Sequence, residues 1–240
     1  MNDQSKISLK TKETSLWVLG IRFLFTTILM LGVLFLSAGT IRWWEAWVYV
    51  GMTLVILIWS RALLFQKNPD LAFERAQAVG KEDVKGWDRI LMPITAVYGP
   101  VISWVVAGLD HRFGWTPDLP DWIQIIALGL IIFGSAIGTW AMIVNRFFSS
   151  HVRIQTDRGH SVIDEGPYRF VRHPGYAGGL ISWIGGPIYF SSYWAVIPTI
   201  LVMIASVVRT AREDQTLQAE LPGYAEYADE VKYRLIPGLW

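Results

Sequence analysis

The residues best equipped for chemistry gather in two stretches. The first, NRFFSSHVRIQTDRGHSVIDEGPYRFVRHPGYAGG over 145–179, packs arginines, histidines, turn residues and aromatics together. The second, from Arg209 to Trp240, is polar, acidic and aromatic. His173 precedes Pro174, which drives it toward an extended backbone and ends any helix before it. Its ring can then enter a pocket as donor or acceptor, or sit in a turn satisfied by backbone. Tyr168 and Tyr176 offer flat faces and polar tips to a ligand, or anchor the chain at a membrane interface. His160 and Ser161 follow Arg158-Gly159, a turn signal, and can present backbone groups. Arg209 and Glu213, four residues apart, share a helix face, either as a surface ion pair or as two working charges. With no cysteine there is no thiolate chemistry, and the histidines at 111, 151, 160 and 173 lack a metal-ligand spacing, so no metal is expected.

The elements that must position these residues are membrane helices. The chain has 240 residues, of which 52% are hydrophobic and only 17% charged, too apolar for an ordinary soluble domain. A net charge of +1 gives no case for nucleic acid. Apolar runs of about the 20 residues that cross a bilayer core extend over 17–37, 47–65, 90–109 and 122–144. Two shorter runs, 175–190 and 193–208, flank Ser191-Ser192 and form a hairpin, either tilted or entering without fully crossing. The expected fold is therefore all-α, a polytopic integral membrane bundle of five to six segments. It divides into N-terminal helices over 1–144, with an inner loop at 66–89, and a functional region over 145–240. Residue Arg22 interrupts the first span, whose apolar run is longer than a signal peptide's, so the span is expected to be retained. Gly134 and Gly138 in the fourth span, and Gly178, Gly179, Gly185 and Gly186 in the hairpin, point to close helix packing.

Lysine and arginine set the orientation, because cytoplasmic segments retain positive charge. With both termini inside, eighteen basic residues lie in inner segments against Arg42 and Arg112 outside, so the termini and the site are expected to be cytoplasmic. Trp43, Trp44, Trp47, Trp115 and Trp122 then fall where aromatic side chains favour the interface. Because a hairpin brings its ends together, the segment before Gly175 and the segment after Val208 should be neighbours around one polar pocket that opens toward lipid. The tyrosines 224, 227 and 233 with Trp240 either lie on the bilayer or fold over that pocket.

GPYRFVRHPGYAG, followed by a hydrophobic hairpin and then R…E…L…Y..Y, resembles the isoprenylcysteine carboxyl methyltransferase family and the related phospholipid methyltransferases, from about Phe147 onward. NPDLAFER at 68–75 and VKGWDRIL at 84–91 also resemble bacterial members of such membrane methyltransferases. The resemblance implies S-adenosyl-L-methionine as cofactor in a cytoplasmic pocket without a Rossmann fold, and the chain indeed has no strand-GxGxxG-helix unit. It also implies that His160, Ser161, Val162, Ile163, Tyr168, His173, Pro174, Gly175 and Tyr176 hold the cofactor. A further polar contact falls near Arg153 or Gln155. In the C-terminal segment it assigns Glu213 to the cofactor and Arg209 to the substrate, both as catalytic residues.

Methyl transfer from a sulfonium is a displacement, so the protein must mainly align the reactants and exclude water. A lipidic carboxylate, such as an isoprenylcysteine, needs no general base and can be gripped by Arg209. An amine acceptor needs a base, with Glu213 or His173 as candidates, and a thiol acceptor fits similar residues. The partners implied are the lipid bilayer and a lipophilic or lipidated substrate. Rival readings are a non-catalytic membrane bundle or small transporter, although polar residues are scarce at mid-membrane where transport sites lie, and a nicotinamide-dependent membrane reductase.

Overall fold

The computed structural model describes residues 3–77 and 84–240, with side chains described for 17–75 and 84–240. The side chains of Lys6, Lys10 and Lys12, and residues 78–83 of the inner loop, lie outside what it describes. Among the described residues every regular element is helical. Helix α1 spans Asp3–Ala38, α2 Trp44–Lys67 and α3 Pro69–Gln77. Next come α4 (Asp88–Pro93), a π-helical turn (Ile94–Tyr98) and α5 (Gly99–Phe113), which run on as one rod. The chain continues through α6 (Asp121–Val144), α7 (Pro174–Tyr189), α8 (Val196–Glu220) and α9 (Tyr224–Glu230).

Among the described residues four stretches are long and apolar enough to cross a membrane: Trp17–Ala38, Trp44–Lys67, Asp88–Phe113 and Asp121–Val144. They coincide with the four runs expected from the sequence, and together they make the chain an integral membrane bundle. Leu24, Phe25, Leu36, Val55, Trp59, Ile125 and Phe133 are all exposed on it. Such an apolar girdle has no reason to face water but is the natural surface to lay against lipid. Inside, Met30, Leu34, Trp43, Ala46, Ala107, Ala127 and Tyr189 form a buried core. Trp44, Trp47, Trp115 and Trp122 are exposed, as interfacial residues should be, but Trp43 turns inward. Its ring stacks on His111 with centroids 4.6 Å apart and meets Phe190 at 4.9 Å.

Pairing of α6 with α7 sets the geometry of the C-terminal region. A Cβ on Gly134 would strike the backbone of Gly178, one on Gly178 would strike that of Gly134, and one on Gly185 would strike that of Ala127, so glycines at these positions let the two backbones meet. The hairpin runs the full depth of the bundle. Its tip is tied to the α5–α6 connection, where Ser192 donates to Asp110 Oδ2 at 2.6 Å and Ser191 Oγ accepts from Leu119 N at 3.0 Å. Asp110 also accepts from the backbone and the hydroxyl of Thr116, so this buried carboxylate staples three segments at the end opposite the basic loops.

Helix α8 carries one buried stripe, Thr199, Val202, Ser206, Arg209, Thr210 and Asp214, at helical spacing. Its 25 residues extend about 37 Å, longer than the apolar run 193–208 alone. The second half therefore leaves the apolar layer with the same face still turned inward. That continuity delivers Arg209, Glu213 and Asp214 to the basic-loop end of the bundle.

Candidate active site

At that end a cavity of about 640 Å³ lies between the 145–173 loop, the start of α7, the polar half of α8 and the α9 cap. Its walls include His160, Ser161, Val162, Ile163, Tyr168, His173, Gly175, Tyr176, Arg209 and Glu213. Ten of the residues singled out from the sequence thus share one cavity. Two others stand off its wall. Pro174 is buried as the first residue of α7, where its missing N–H costs nothing. Gln155 is 1% exposed and works inside the loop, donating to Phe147 O at 2.6 Å and accepting from Arg158 at 2.6 Å. Arg153, the neighbouring alternative, does line the cavity.

The loop is shaped by its own polar contacts. Asn145, just past α6, accepts from Phe147 N at 2.8 Å and donates to Tyr168 Oη at 3.1 Å, turning the chain back under the helix. His160 accepts through Nδ1 from Gln155 N at 3.3 Å and packs on the Phe147 ring at 4.5 Å. Burial first, then the charges of Arg153 and Arg158, pull the His160 pKa down to about 4, so this imidazole is neutral at physiological pH. Burial raises the Tyr168 phenol well above its ordinary value, so its hydroxyl remains a hydrogen-bonding group and not a base.

Arg209 and Glu213 do not pair with each other among the described residues. Glu213 accepts from Tyr176 Oη at 2.7 Å. Arg209 donates Nε to Asp88 Oδ1 at 2.7 Å, Nη2 to Asp88 Oδ2 at 3.3 Å, and Nη2 to Ser150 O at 2.7 Å. The guanidinium also sits 5.5 Å from the centroid of the Tyr176 ring. Asp88, fully buried, holds Val152 N at 2.8 Å as well, so one carboxylate fixes both the arginine and the loop beside it.

A second buried carboxylate, Asp214, organises the other wall. Arg172 grips it through Nε at 2.7 Å and Nη2 at 3.0 Å, and Arg234 Nε and Gln218 Nε2 each reach it at 2.7 Å. Tyr224 Oη and His173 Nε2 meet it at 3.1 Å. Burial alone would raise this carboxyl, but the hydrogen bonds from His173, Arg172 and Arg234 outweigh it and hold the group far below the usual carboxylate range. An ionised Asp214 only accepts, so the His173 Nε2 carries the proton facing it, and in the neutral ring Nδ1 is left as an acceptor. Arg172 also donates to the carbonyls of Val231 and Lys232. The backbones of Arg172 and His173 hydrogen-bond to Tyr233 O and Arg234 O.

These contacts fold the C-terminal segment over the cavity. Tyr224 and Tyr227 are 4% and 5% exposed, and Tyr227 donates to Tyr168 O at 2.7 Å, which puts both rings in the wall and not on a bilayer surface. Asp88 and Asp214, the two organising carboxylates, were not picked out from the sequence. The signals available were weak: Asp88 lies in VKGWDRIL, and Asp214 is the neighbour of Glu213, turned about 100° from it around the helix.

A second cavity of about 410 Å³ lies among α2, α5, α6 and α7, deeper along the bundle, with Trp104, Ile131, Trp183 and Phe190 in its walls. It shares Ala96 and Gly175 with the first. Ala96 belongs to the π-helical turn that follows Pro93, whose missing N–H and ring disfavour a regular helix at that point.

Residues 127–219 match the family model of the isoprenylcysteine carboxyl methyltransferase (ICMT) family. Among curated proteins, the chain is 28% identical over 120 residues to the "Probable protein-S-isoprenylcysteine O-methyltransferase" of Oryza sativa subsp. indica, covering 48% of this chain and 63% of that protein. It is 27% identical over 113 residues to protein-S-isoprenylcysteine O-methyltransferase B of Arabidopsis thaliana, covering 46% of this chain and 57% of that one. The match thus spans less than two thirds of the length of these relatives. From α6 through the polar half of α8, which holds most of the cavity wall, the chain is similar to the isoprenylcysteine carboxyl methyltransferase family.

Proposed function

We propose that this protein transfers a methyl group from S-adenosyl-L-methionine to the carboxylate of a lipidic acceptor of the isoprenylcysteine type, at the cytoplasmic face of its membrane. One observation carries the reading: the GPYRFVRHPGY segment and the Arg209–Glu213 face of α8 line a single cavity, which adjoins an apolar one inside the bundle. A volume of about 640 Å³ lies within the range of small-molecule sites, roughly 300–1,000 Å³. The donor set suits the cofactor's parts. Phe147, Phe148 and Tyr168 supply aromatic walls for a purine, the 160–163 segment supplies backbone polar groups, and Glu213 supplies a negative charge for a cation or a hydroxyl pair.

When bound, the cofactor supplies an electrophilic methyl group on a sulfonium. The chain's own task is orientation and exclusion of water. Tyr176 holds Glu213 through its hydroxyl, fixing the carboxylate that faces the cofactor's side of the cavity. Arg209 has its Nε and Nη2 committed to Asp88 and Ser150, which leaves the two N–H groups of Nη1 for an acceptor carboxylate. Asp88 offsets much of the guanidinium charge, so Arg209 positions the nucleophile without strongly quenching it. An amine acceptor would have to lose a proton; Glu213 is engaged by Tyr176, and His173, held through Nε2 by Asp214, offers Nδ1 as the candidate base. The apolar cavity beyond Ala96 and Gly175 is proposed to take the acceptor's lipid chain.

Calorimetry of the detergent-purified protein with S-adenosylhomocysteine and, separately, NADPH tests the cofactor assignment. Saturable binding of the first and none of the second is expected. Binding of NADPH alone would replace this reading with the reductase one, and binding of neither would leave a non-catalytic bundle.

A further inference from the structure

Asp88 has a third neighbour that methyl transfer, as derived above, leaves without a task. His151 lines the catalytic cavity with a side chain 23% exposed, and its Nδ1 stands 3.5 Å from Asp88 Oδ2. That oxygen already accepts from Val152 N at 2.8 Å and from Arg209 Nη2 at 3.3 Å. Among the described residues His151 Nδ1 is shut off from water and makes no hydrogen bond. Buried polar atoms without a partner are uncommon, and here the partner is close: a movement of about 0.5 Å would bring the pair to an ordinary N–H···O distance.

The loop fixes the imidazole at this place from both sides. Ser150 O, just before it, accepts from Arg209 Nη2 at 2.7 Å, and Val152 N, just after it, donates to Asp88. His151 N itself donates to Ser149 Oγ at 3.3 Å. The ring is thus pinned to the Arg209–Asp88 pair by its own chain neighbours, with the exposed part of the side chain left to the cavity.

Charge decides what such a ring can do. Arg209 and Asp88 largely offset each other, so an acceptor carboxylate adds a negative charge that the pair alone does not balance. Glu213, held by Tyr176, adds another from α8. Arg22 of α1 and Arg75 of α3 line the same cavity and oppose a further positive charge there before the acceptor arrives, as does Arg153, which is bonded to Glu74 and Asp157. An imidazole is the side chain whose charge ordinarily changes between about pH 5 and 8. A carboxylate set against Arg209 favours the charged ring, in which both nitrogens donate. Its Nδ1–H then has Asp88 Oδ2 as acceptor, and the Asp88 charge is shared between two cations, which leaves more of the Arg209 charge for the acceptor.

We propose that His151 is a positioning residue that takes a proton from solvent when the acceptor's carboxylate binds and returns it once that carboxylate has become a neutral ester. The proposal rests on the carboxyl-methylation reading and adds to it a proton that travels with the acceptor's charge. No bond of the acceptor is made or broken by His151.

The test is calorimetry of the full-length, detergent-purified protein, loaded with S-adenosylhomocysteine at about pH 7.5, above the ordinary imidazole value. It is titrated with an N-acetylated S-prenylcysteine, whose blocked amine cannot titrate, in phosphate and in Tris. Their different ionisation enthalpies reveal proton uptake. Binding is expected to take up roughly 0.3–1 proton per acceptor, and the dissociation constant to rise about five-fold or more from pH 6 to 8. The methyl ester of the same compound should bind without uptake. His151→Gln, checked for monodispersity, should bind the acid with no uptake and little change across that pH range. Binding of the acid to wild-type protein without uptake, or equal uptake with acid and ester, overturns the proposal without any variant and leaves carboxyl methylation standing. Unchanged uptake in folded His151→Gln overturns it too, by assigning the proton to another group. No binding of the acid at all would overturn the methylation reading, and this proposal with it.

Discussion

Arg209 and Asp88, separated by 121 positions in the chain, meet through a 2.7 Å bond from Nε to Oδ1 and a 3.3 Å bond from Nη2 to Oδ2. The pair joins the start of the α4–α5 rod to the polar half of α8 and, with Ser150, engages Nε and Nη2 of the guanidinium. Removing one member of such a buried pair strands the other, so the pair should be read through its effect on position and not as a simple gain in stability.

Asp88→Asn keeps the shape of the side chain and removes the charge that fixes Arg209. Loss of a charge-assisted hydrogen bond costs about 1.5–3 kcal/mol, or roughly ten- to a hundred-fold. That loss should fall on kcat/KM for the acceptor, while S-adenosylhomocysteine affinity by calorimetry changes little. A matching fall in cofactor affinity would mean that Asp88 supports the whole loop and not Arg209 in particular.

The Tyr176–Glu213 bond of 2.7 Å separates two roles in one contact. Glu213→Gln removes the charge offered to the cofactor and should weaken S-adenosylhomocysteine binding about ten-fold or more. Tyr176→Phe keeps the ring beside Arg209 and removes only the donor to Glu213, so its effect should be several-fold smaller. Equal effects in the two variants would show that Glu213 acts only through its bond to the tyrosine.

Two groups predict how stability depends on pH. His160 has a folded pKa of about 4 against an ordinary 6.5, so the unfolded chain binds its proton first as pH falls. Stability is complete above 6.5 and declines between 6.5 and 4. Asp214 is depressed below its ordinary 3.8, so its contribution is complete above that value and is lost only in stronger acid. Thermal unfolding midpoints in detergent should therefore fall from pH 6.5 downward, and His160→Gln should flatten that slope without altering the further loss below about pH 3.8.

The cysteine-free sequence makes the orientation directly measurable. Thr156→Cys places a thiol on the exposed basic loop, and Asp118→Cys places one on the exposed connection at the other end. In intact cells a membrane-impermeant maleimide should label Cys at 118 and spare Cys at 156. The reverse pattern would put the proposed pocket on the wrong side of the membrane.

The membrane helices were legible because a run of about 20 apolar residues states its own length, and the shared face of Arg209 and Glu213 was legible because helical spacing is local. The partners of those two residues were not. Asp88 lies 121 positions from Arg209 and Tyr176 lies 37 from Glu213, and a polar pair across such distances leaves no periodic trace in the chain. The tail was ambiguous for a different reason. Tyrosines serve interfaces and pocket walls equally well, and it is the grip of Arg172 and Asp214 on this segment, with the bond from Tyr227 to Tyr168 O, that turns Tyr224 and Tyr227 inward. Likewise nothing in the spacing of Trp43, Trp44 and Trp47 distinguishes the one that stacks on His111 from the two left exposed.

The most direct measurement of the central claim is incubation of the purified protein with methyl-labelled S-adenosyl-L-methionine and an S-prenylated cysteine bearing a free carboxylate. A label that volatilises on treatment with base, appears with wild-type protein and falls sharply in both Arg209→Lys and Glu213→Gln is the predicted result, because the product is then a methyl ester made at this site. A base-stable label on a membrane component, or no transfer to any acceptor in a total membrane extract despite bound cofactor, would contradict carboxyl methylation by this chain.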